Sequence, residues 1–205
     1  FFNLKPWIQV FISGFITGLS FHPFNLGFFS WFSFIPLFHI FLISNYKQNL
    51  INGYLFGLSF NLTAFYWIGS NSGADSLTVV GSLIAATSYL AIFWSFGGFL
   101  FSLLPKERKV ETGSLLFPFL IVSIEWFRSF GPLGFPWANL ALSQSKYNFF
   151  IQFIDFTGSY GVSFIVIILN VIFYHIIQNK ISLKNGLLFI IIIFFCVSII
   201  GRVKI

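Results

Sequence analysis

Methionine occurs nowhere in these 205 residues, cysteine occurs once, and charged residues make up 8% of the chain. Each shortage excludes something. A complete translated chain starts with Met, so the sequence reads as a segment or a processed form, with Phe1 to Lys5 following a missing stretch and Arg202-Val203-Lys204-Ile205 leading into another. A single cysteine excludes a disulfide framework, and no metal-ligand spacing exists. Cys196 lies inside an apolar run, where a thiol forms little thiolate, so it reads as a small hydrophobe and not a nucleophile. Charge at 8% beside 57% hydrophobic residues excludes an ordinary water-facing exterior, since soluble domains carry roughly 25% charged residues. A bilayer removes the difficulty, because lipid tails then solvate the outer surface. Net charge is +6, but the basic residues are scattered through short loops. They set membrane orientation and give no basis for nucleic-acid binding. No cofactor or metal is expected. Phenylalanine, with 33 residues, is read mainly as lipid-facing filler.

Turn-forming and polar residues divide the chain into seven apolar stretches, near 6–21, 25–44, 50–69, 76–104, 113–130, 159–178 and 183–200. A helix needs about 20 residues to cross ~30 Å of hydrocarbon, and most of the stretches meet that length. The first is short but anchored by Lys5 and Trp7; the fourth is long and is expected to tilt or to begin as an interfacial turn near 76–80. No small-x-small cleavage site follows the first stretch, so it is a retained helix and not a signal peptide. The expected fold is an all-α membrane protein: one domain, residues 1–205, built as a bundle of about seven transmembrane helices.

Placing the N-terminus in the cytoplasm puts Lys5, Lys47, Lys106, Arg108, Lys109, Lys180 and Lys184 inside, against Arg128, Lys146, Arg202 and Lys204 outside. The excess of inner positives favours a cytoplasmic N-terminus and a periplasmic C-terminal end. Gly14 with Gly18, and Gly53 with Gly57, form two Gly-x-x-x-Gly patterns. Such spacing lets helix backbones approach closely, and packing inside one bundle is the expected use. A monomer follows.

The longest loop, 129–158, falls outside, between the fifth and sixth helices. Gly131, Pro132, Gly134 and Pro136 rule out a continuous helix, while Phe135, Trp137, Leu140 and Leu142 are too apolar for a free solvent loop. The segment therefore belongs at the membrane interface. Before it, Glu125 and Arg128 share a helical face. An acid in an apolar span needs a partner, so the pair reads either as an ion pair locking the helix end or as an Arg128 contact to a phosphate headgroup oriented by Glu125.

These residues also carry a family likeness. Glu125-Trp126-Phe127-Arg128, Gly134-Phe135-Pro136-Trp137, Ser143-Gln144 and the run from Ile151-Gln152-Phe153 to Gly161-Val162-Ser163-Phe164 resemble the apolipoprotein N-acyltransferases. So do Phe21-His22-Pro23-Phe24-Asn25 and Phe65-Tyr66-Trp67-Ile68-Gly69, and the matches fall in the family's order over nearly the whole chain. The resemblance implies a bacterial inner-membrane, multi-pass enzyme that moves an acyl chain from a phospholipid to the α-amino group of a diacylglyceryl-cysteine on a lipoprotein. It implies a nitrilase-like periplasmic domain with a Glu-Lys-Cys triad, in which a thiolate nucleophile splits the transfer into two steps. No residue here matches that triad; the sequence stops where the domain would begin, and this segment alone is expected to be inactive. Its substrate- and lipid-binding candidates are Glu125, Arg128, Phe135, Pro136, Trp137 and Gln144, with phospholipid, diacylglyceryl-lipoprotein and membrane lipid as partners.

Two other functions remain open. A non-catalytic membrane module could bind lipid or lipoprotein, or scaffold a separate catalytic subunit. A transporter fits less well, because its ionisable groups belong near mid-membrane, whereas Glu125, Arg128, Asp75 and Asp155 cluster towards one face. His22 reads as shaping its turn, His39 and His175 as bonding within the bundle, and Asp75 and Asp155 as loop or capping groups. Phe65, Tyr66 and Trp67 read as an interfacial belt.

Overall fold

The computed structural model describes residues 3–202, and among them the chain is helical with no strand. Helices α1 (Pro6–Leu19), α2 (Ile35–Ile43), α3 (Tyr46–Ala64), α4 (Ser76–Ser102), α5 (Lys109–Phe127), the single turn α6 (Leu140–Ser143), α7 (Asn148–Ile177) and α8 (Leu183–Arg202) follow in order. Short 3₁₀ turns at Gly27–Trp31, Tyr66–Ser70 and Lys106–Arg108 lie between them. Local chemistry explains several starts. Pro6 opens α1, where its missing N–H costs nothing. Asn45 and Gln48 exchange side-chain and backbone hydrogen bonds as a capping box on α3. Asp75 accepts from the Thr78 amide at 2.9 Å and caps α4.

Among the described residues, three segments are long and apolar enough to cross a membrane: Ser76–Ser102, Lys106–Phe127 and Ile151–Ile177. Pro6–Leu19, Gly27–Ile43 and Leu183–Ile199 are apolar but shorter. The α3 stretch, which buries Asn49, Asn52 and Asn61, falls in neither group. The outer surface is apolar, and polar side chains are buried alongside an apolar core. Gln9, Ser13, Thr17, Asn49, Asn61 and Asn170 are buried, whereas Leu77, Leu115, Phe195 and Ile51 are exposed. Apolar surroundings outside and polar contacts between helices inside are what hydrocarbon demands of a helical protein.

Helix α3 is central and packs on α1 and α4. The two Gly-x-x-x-Gly patterns make those contacts. A Cβ at Gly14 would strike the Phe56 carbonyl, and one at Gly18 the Thr63 side chain. At Gly53 it would strike the Trp94 carbonyl, and at Gly57 it would lie 2.6 Å from the Trp94 ring. Both patterns are thus spent inside one chain. Phe34, Phe38, Phe56, Phe60, Phe101 and Phe117 fill the core around Trp94, so a good share of the phenylalanine is structural and not filler.

Three sequence expectations change. The second stretch is not one helix: the Gly27–Trp31 turn ends at Phe32, and α2 restarts at Ile35 with Pro36 in its first turn. Residues 76–80 are regular helix and not an interfacial turn, because Asp75 caps them. The loop expected over 129–158 is shorter, since helix α7 begins at Asn148 and Gly158 kinks it with φ of 66°. That left-handed geometry suits glycine, so the glycine bends the helix where the sequence pointed to a loop boundary. Asp155 consequently sits on a helix. Val203, Lys204 and Ile205, assigned to the outer side from sequence, lie outside the described residues.

Candidate functional site

The segment between α5 and α7 is a docked connector, tied down by α5, α7 and the Gly27–Trp31 turn. The Arg128 carbonyl accepts from the Phe135 amide at 2.7 Å, closing the Gly-Pro loop. Arg128 Nη2 donates to the Trp137 carbonyl at 2.8 Å and to Asn139 Oδ1 at 3.1 Å. Glu125 Oε1 accepts from the Leu140 amide at 2.6 Å, and Ser163 Oγ on α7 accepts from the Ala141 amide at 3.1 Å. A helix leaves its first amides without internal partners; here Glu125 and Ser163 supply them for α6. Asn139, in the capping position, makes no cap bond because its side chain accepts from Arg128 instead.

Glu125 and Arg128 are each 1% exposed. Their hydrogen bonds run to the connector and not to each other, although the charges lie near enough to attract. The expected ion pair is therefore a pair of braces for the connector. Among the described residues, Arg128 Nε and Nη1 have no hydrogen-bond partner.

Gln144 is also buried and uses both ends of its amide. Trp31 Nε1 donates to Oε1 at 2.8 Å, and Nε2 donates to Ser30 Oγ at 2.8 Å, Ser143 Oγ at 2.7 Å and the Gly27 carbonyl at 3.1 Å. The α6 turn lies so close to the Gly27–Trp31 turn that a Cβ at Gly27 would overlap the Ser143 carbonyl. Gly27 is needed for that approach.

The exposed side of the connector carries aromatic rings. Trp137 stacks on Trp67 with centroids 5.5 Å apart and on Phe135 at 5.8 Å, and Phe135 meets buried Phe65 edge-on at 5.0 Å. Offset and edge-on arrangements of this kind suit the ring quadrupoles. A groove of about 290 Å³ lies on one side of this ridge, with Phe21, His22, Asn25, Phe65, Trp67 and Trp137 in its walls. A larger cleft of about 490 Å³ lies on the other side, between Ala85, Ala86 and Tyr89 of α4 and Pro132 to Phe135 of the connector. Segments 21–25, 65–69 and 134–137, far apart in sequence, thus meet at one end of the bundle.

The six site candidates divide cleanly. Phe135, Pro136 and Trp137 lie on the accessible side, whereas Glu125, Arg128 and Gln144 lie beneath and hold the connector. Phe65 is core, and Trp67 is a groove wall and not merely a belt residue. Sequence reasoning missed Trp31, Asn139 and Asn170; an asparagine inside the apolar 165–173 run was the available signal for the last. His175 Nε2 lies 2.8 Å from Ser114 Oγ, and His39 packs on the Tyr174 ring. Cys196 lies exposed on α8.

Residues 13–172 match the model of the apolipoprotein N-acyltransferase N-terminal domain. The chain belongs to the apolipoprotein N-acyltransferase family. It is similar to apolipoprotein N-acyltransferases from Geobacter metallireducens, at 31% identity over 85% of this chain, and Thermotoga maritima, at 26% over 90%. The Rickettsia typhi apolipoprotein N-acyltransferase is 32% identical over 80% of this chain. These matches cover 34%, 37% and 33% of the three relatives, so the chain spans about a third of the proteins it resembles. Every residue of the connector and of both grooves falls within the region matched by the N-acyltransferase family model.

Proposed function

We propose that this chain is the membrane domain of an enzyme that transfers an acyl chain from phospholipid to the N-terminal diacylglyceryl-cysteine of lipoproteins. The meeting of segments 21–25, 65–69 and 134–137 around one aromatic ridge supports this reading. Phospholipid and lipoprotein enter along Phe135, Pro136 and Trp137, while Glu125, Arg128 and Gln144 hold the connector that presents them. The nucleophile and its partners belong to a nitrilase-like domain outside these 205 residues, and this domain alone is inactive.

The setting proposed is the bacterial inner membrane, with seven crossings, a cytoplasmic N-terminus and the connector on the periplasmic side. Two contacts support a common end: Trp67, just past α3, stacks on Trp137 of the connector, and Val197 near the end of α8 clusters with Ala141 of α6. A non-helical connector is tolerated at the membrane interface and not facing lipid within the hydrocarbon. The protein acts as a monomer.

The test is acyl transfer by the full-length protein, with phospholipid vesicles and a diacylglyceryl-cysteine peptide. Trp137→Ala should raise the KM for phospholipid roughly 2- to 10-fold, the worth of one aromatic pair at ~0.5–1.5 kcal/mol, with kcat little changed. A full-length protein without transfer activity that co-purifies with a separate catalytic subunit would favour the non-catalytic module instead.

A further inference from the structure

We infer that Asn170, on α7 and remote from the grooves, is a positioning residue that sets the connector by holding the broken Gly27–Phe34 segment in place. This rests on the proposed role of the connector in lipid entry. Asn170 is 1% exposed in an otherwise apolar stretch of helix, and both N–H donors and the carbonyl oxygen of its amide are engaged. Oδ1 accepts from the Phe34 amide at 2.8 Å. Nδ2 donates to the Ser30 carbonyl at 2.7 Å and to the Val166 carbonyl, one turn back on its own helix, at 2.8 Å.

These partners are the ones a break in a helix leaves over. Phe34 stands at the N-cap of α2 and makes no capping bond with its own side chain. Its amide belongs to the group of helix-start donors that lack an internal acceptor, and an apolar interior offers no water to replace one. Asn170 therefore caps α2 from another helix and grips the preceding turn at Ser30 in the same stroke. Ser33, between them, is held from the other side: its carbonyl accepts from Ser13 Oγ at 2.5 Å and its hydroxyl from Thr17 Oγ1 at 2.8 Å.

The gripped turn is the seat of the connector. Ser30 Oγ accepts from Gln144 Nε2 and from Ser143 Oγ, and neighbouring Trp31 donates to Gln144 Oε1. Hydrogen bonds on either side of residues 30–31 thus link Asn170, through the backbone and side chains of Ser30 and Trp31, to Gln144 and the α6 turn, and α6 follows Trp137 by two residues. Without Asn170 the turn loses its fixed register, and Gln144 loses the pair of partners that accept and donate at opposite ends of its amide. Asn170 touches neither groove; it acts through the Gly27–Trp31 turn.

The experiment uses the full-length protein in lipid nanodiscs, comparing Asn170→Leu, Gln144→Leu and the double variant. Hydrogen exchange of peptides covering 27–34 and 128–147 should speed up about tenfold in each single variant, the order expected for one lost buried hydrogen-bond set. Peptides from the α3–α4 contact should not change. The double variant should exchange no faster than the worse single, because both act on one linkage. In the transfer assay the KM for phospholipid should rise about tenfold with kcat within twofold. Unchanged exchange in 128–147, uniform acceleration over the whole bundle, or additive effects in the double variant would each overturn the positioning role. Local, non-additive exchange with no change in KM would leave Asn170 as the holder of the connector and reject the connector's role in lipid entry.

Discussion

Removing one of the two buried charges should be far more damaging than removing both. Arg128→Met deletes two hydrogen bonds from a charged donor, to the Trp137 carbonyl and to Asn139 Oδ1, and strands the Glu125 carboxylate at 1% exposure without the cation that attracts it. Breaking a buried pair from one side costs about 3–5 kcal/mol, most of it the uncompensated charge left behind. Adding Glu125→Gln removes that charge while keeping an oxygen able to accept from the Leu140 amide. What remains lost is the Arg128 grip on 137–139, worth about 1–2 kcal/mol once exchange with other partners is allowed for. The double variant should therefore be about 2 kcal/mol more stable than Arg128→Met alone, a coupling of the size expected for groups within one network. Equilibrium unfolding of the full-length protein in mixed micelles, followed by circular dichroism, measures all three variants. An Arg128→Met loss below about 0.5 kcal/mol, or a double variant as unstable as the two singles added, would refute the view that these charges are mutually dependent braces.

Gly57→Leu should loosen the α3–α4 contact, because even the first added carbon would lie 2.6 Å from the Trp94 ring; overpacking of this kind costs about 1–3 kcal/mol, read as a lower midpoint in the same unfolding assay. Gly81, whose Cβ would meet nothing within 4 Å, should accept alanine with no loss by that measure. Asp75 is expected to make the start of α4 sensitive to acid: the Thr78 hydroxyl, then the Thr78 amide, hold its carboxyl below the ordinary carboxylate value of 3.8. A depressed folded-state value means that the capping contribution is complete above the unfolded value and fades as pH falls through the folded one. Exchange-derived protection of amides 76–80 should decline over that acid window in the wild type and be flat in Asp75→Ala.

Much of the overall organisation was legible from composition and spacing. Hydropathy marked the apolar stretches, and Asp75, left open between a loop and a capping role, proves to cap α4. The small-residue patterns at Gly14/Gly18 and Gly53/Gly57 pointed to close helix contacts, which is how they are used. Boundaries were harder. Gly158 looked like the end of a loop and is a kink within α7; a glycine with positive φ serves both purposes, and nothing local separates them. The second stretch read as one helix because its hydropathy is continuous, yet the Phe34 amide is capped by Asn170, 136 residues away.

For the candidate site, sequence alone determined that the glycine- and proline-broken segment with Phe135, Pro136 and Trp137 could not run on as one helix, and that an acid in an apolar span, Glu125, needs partners. Those are properties of solvent preference and local covalent geometry, which any chain expresses residue by residue. Only the tertiary structure decided which partners. Glu125 and Arg128, three residues apart, bond to the connector, and Gln144 bonds to Gly27, Ser30 and Trp31 more than 110 residues away. A hydrogen bond depends on distance and direction in space, and those are settled by how the helices pack, which leaves no local trace in sequence.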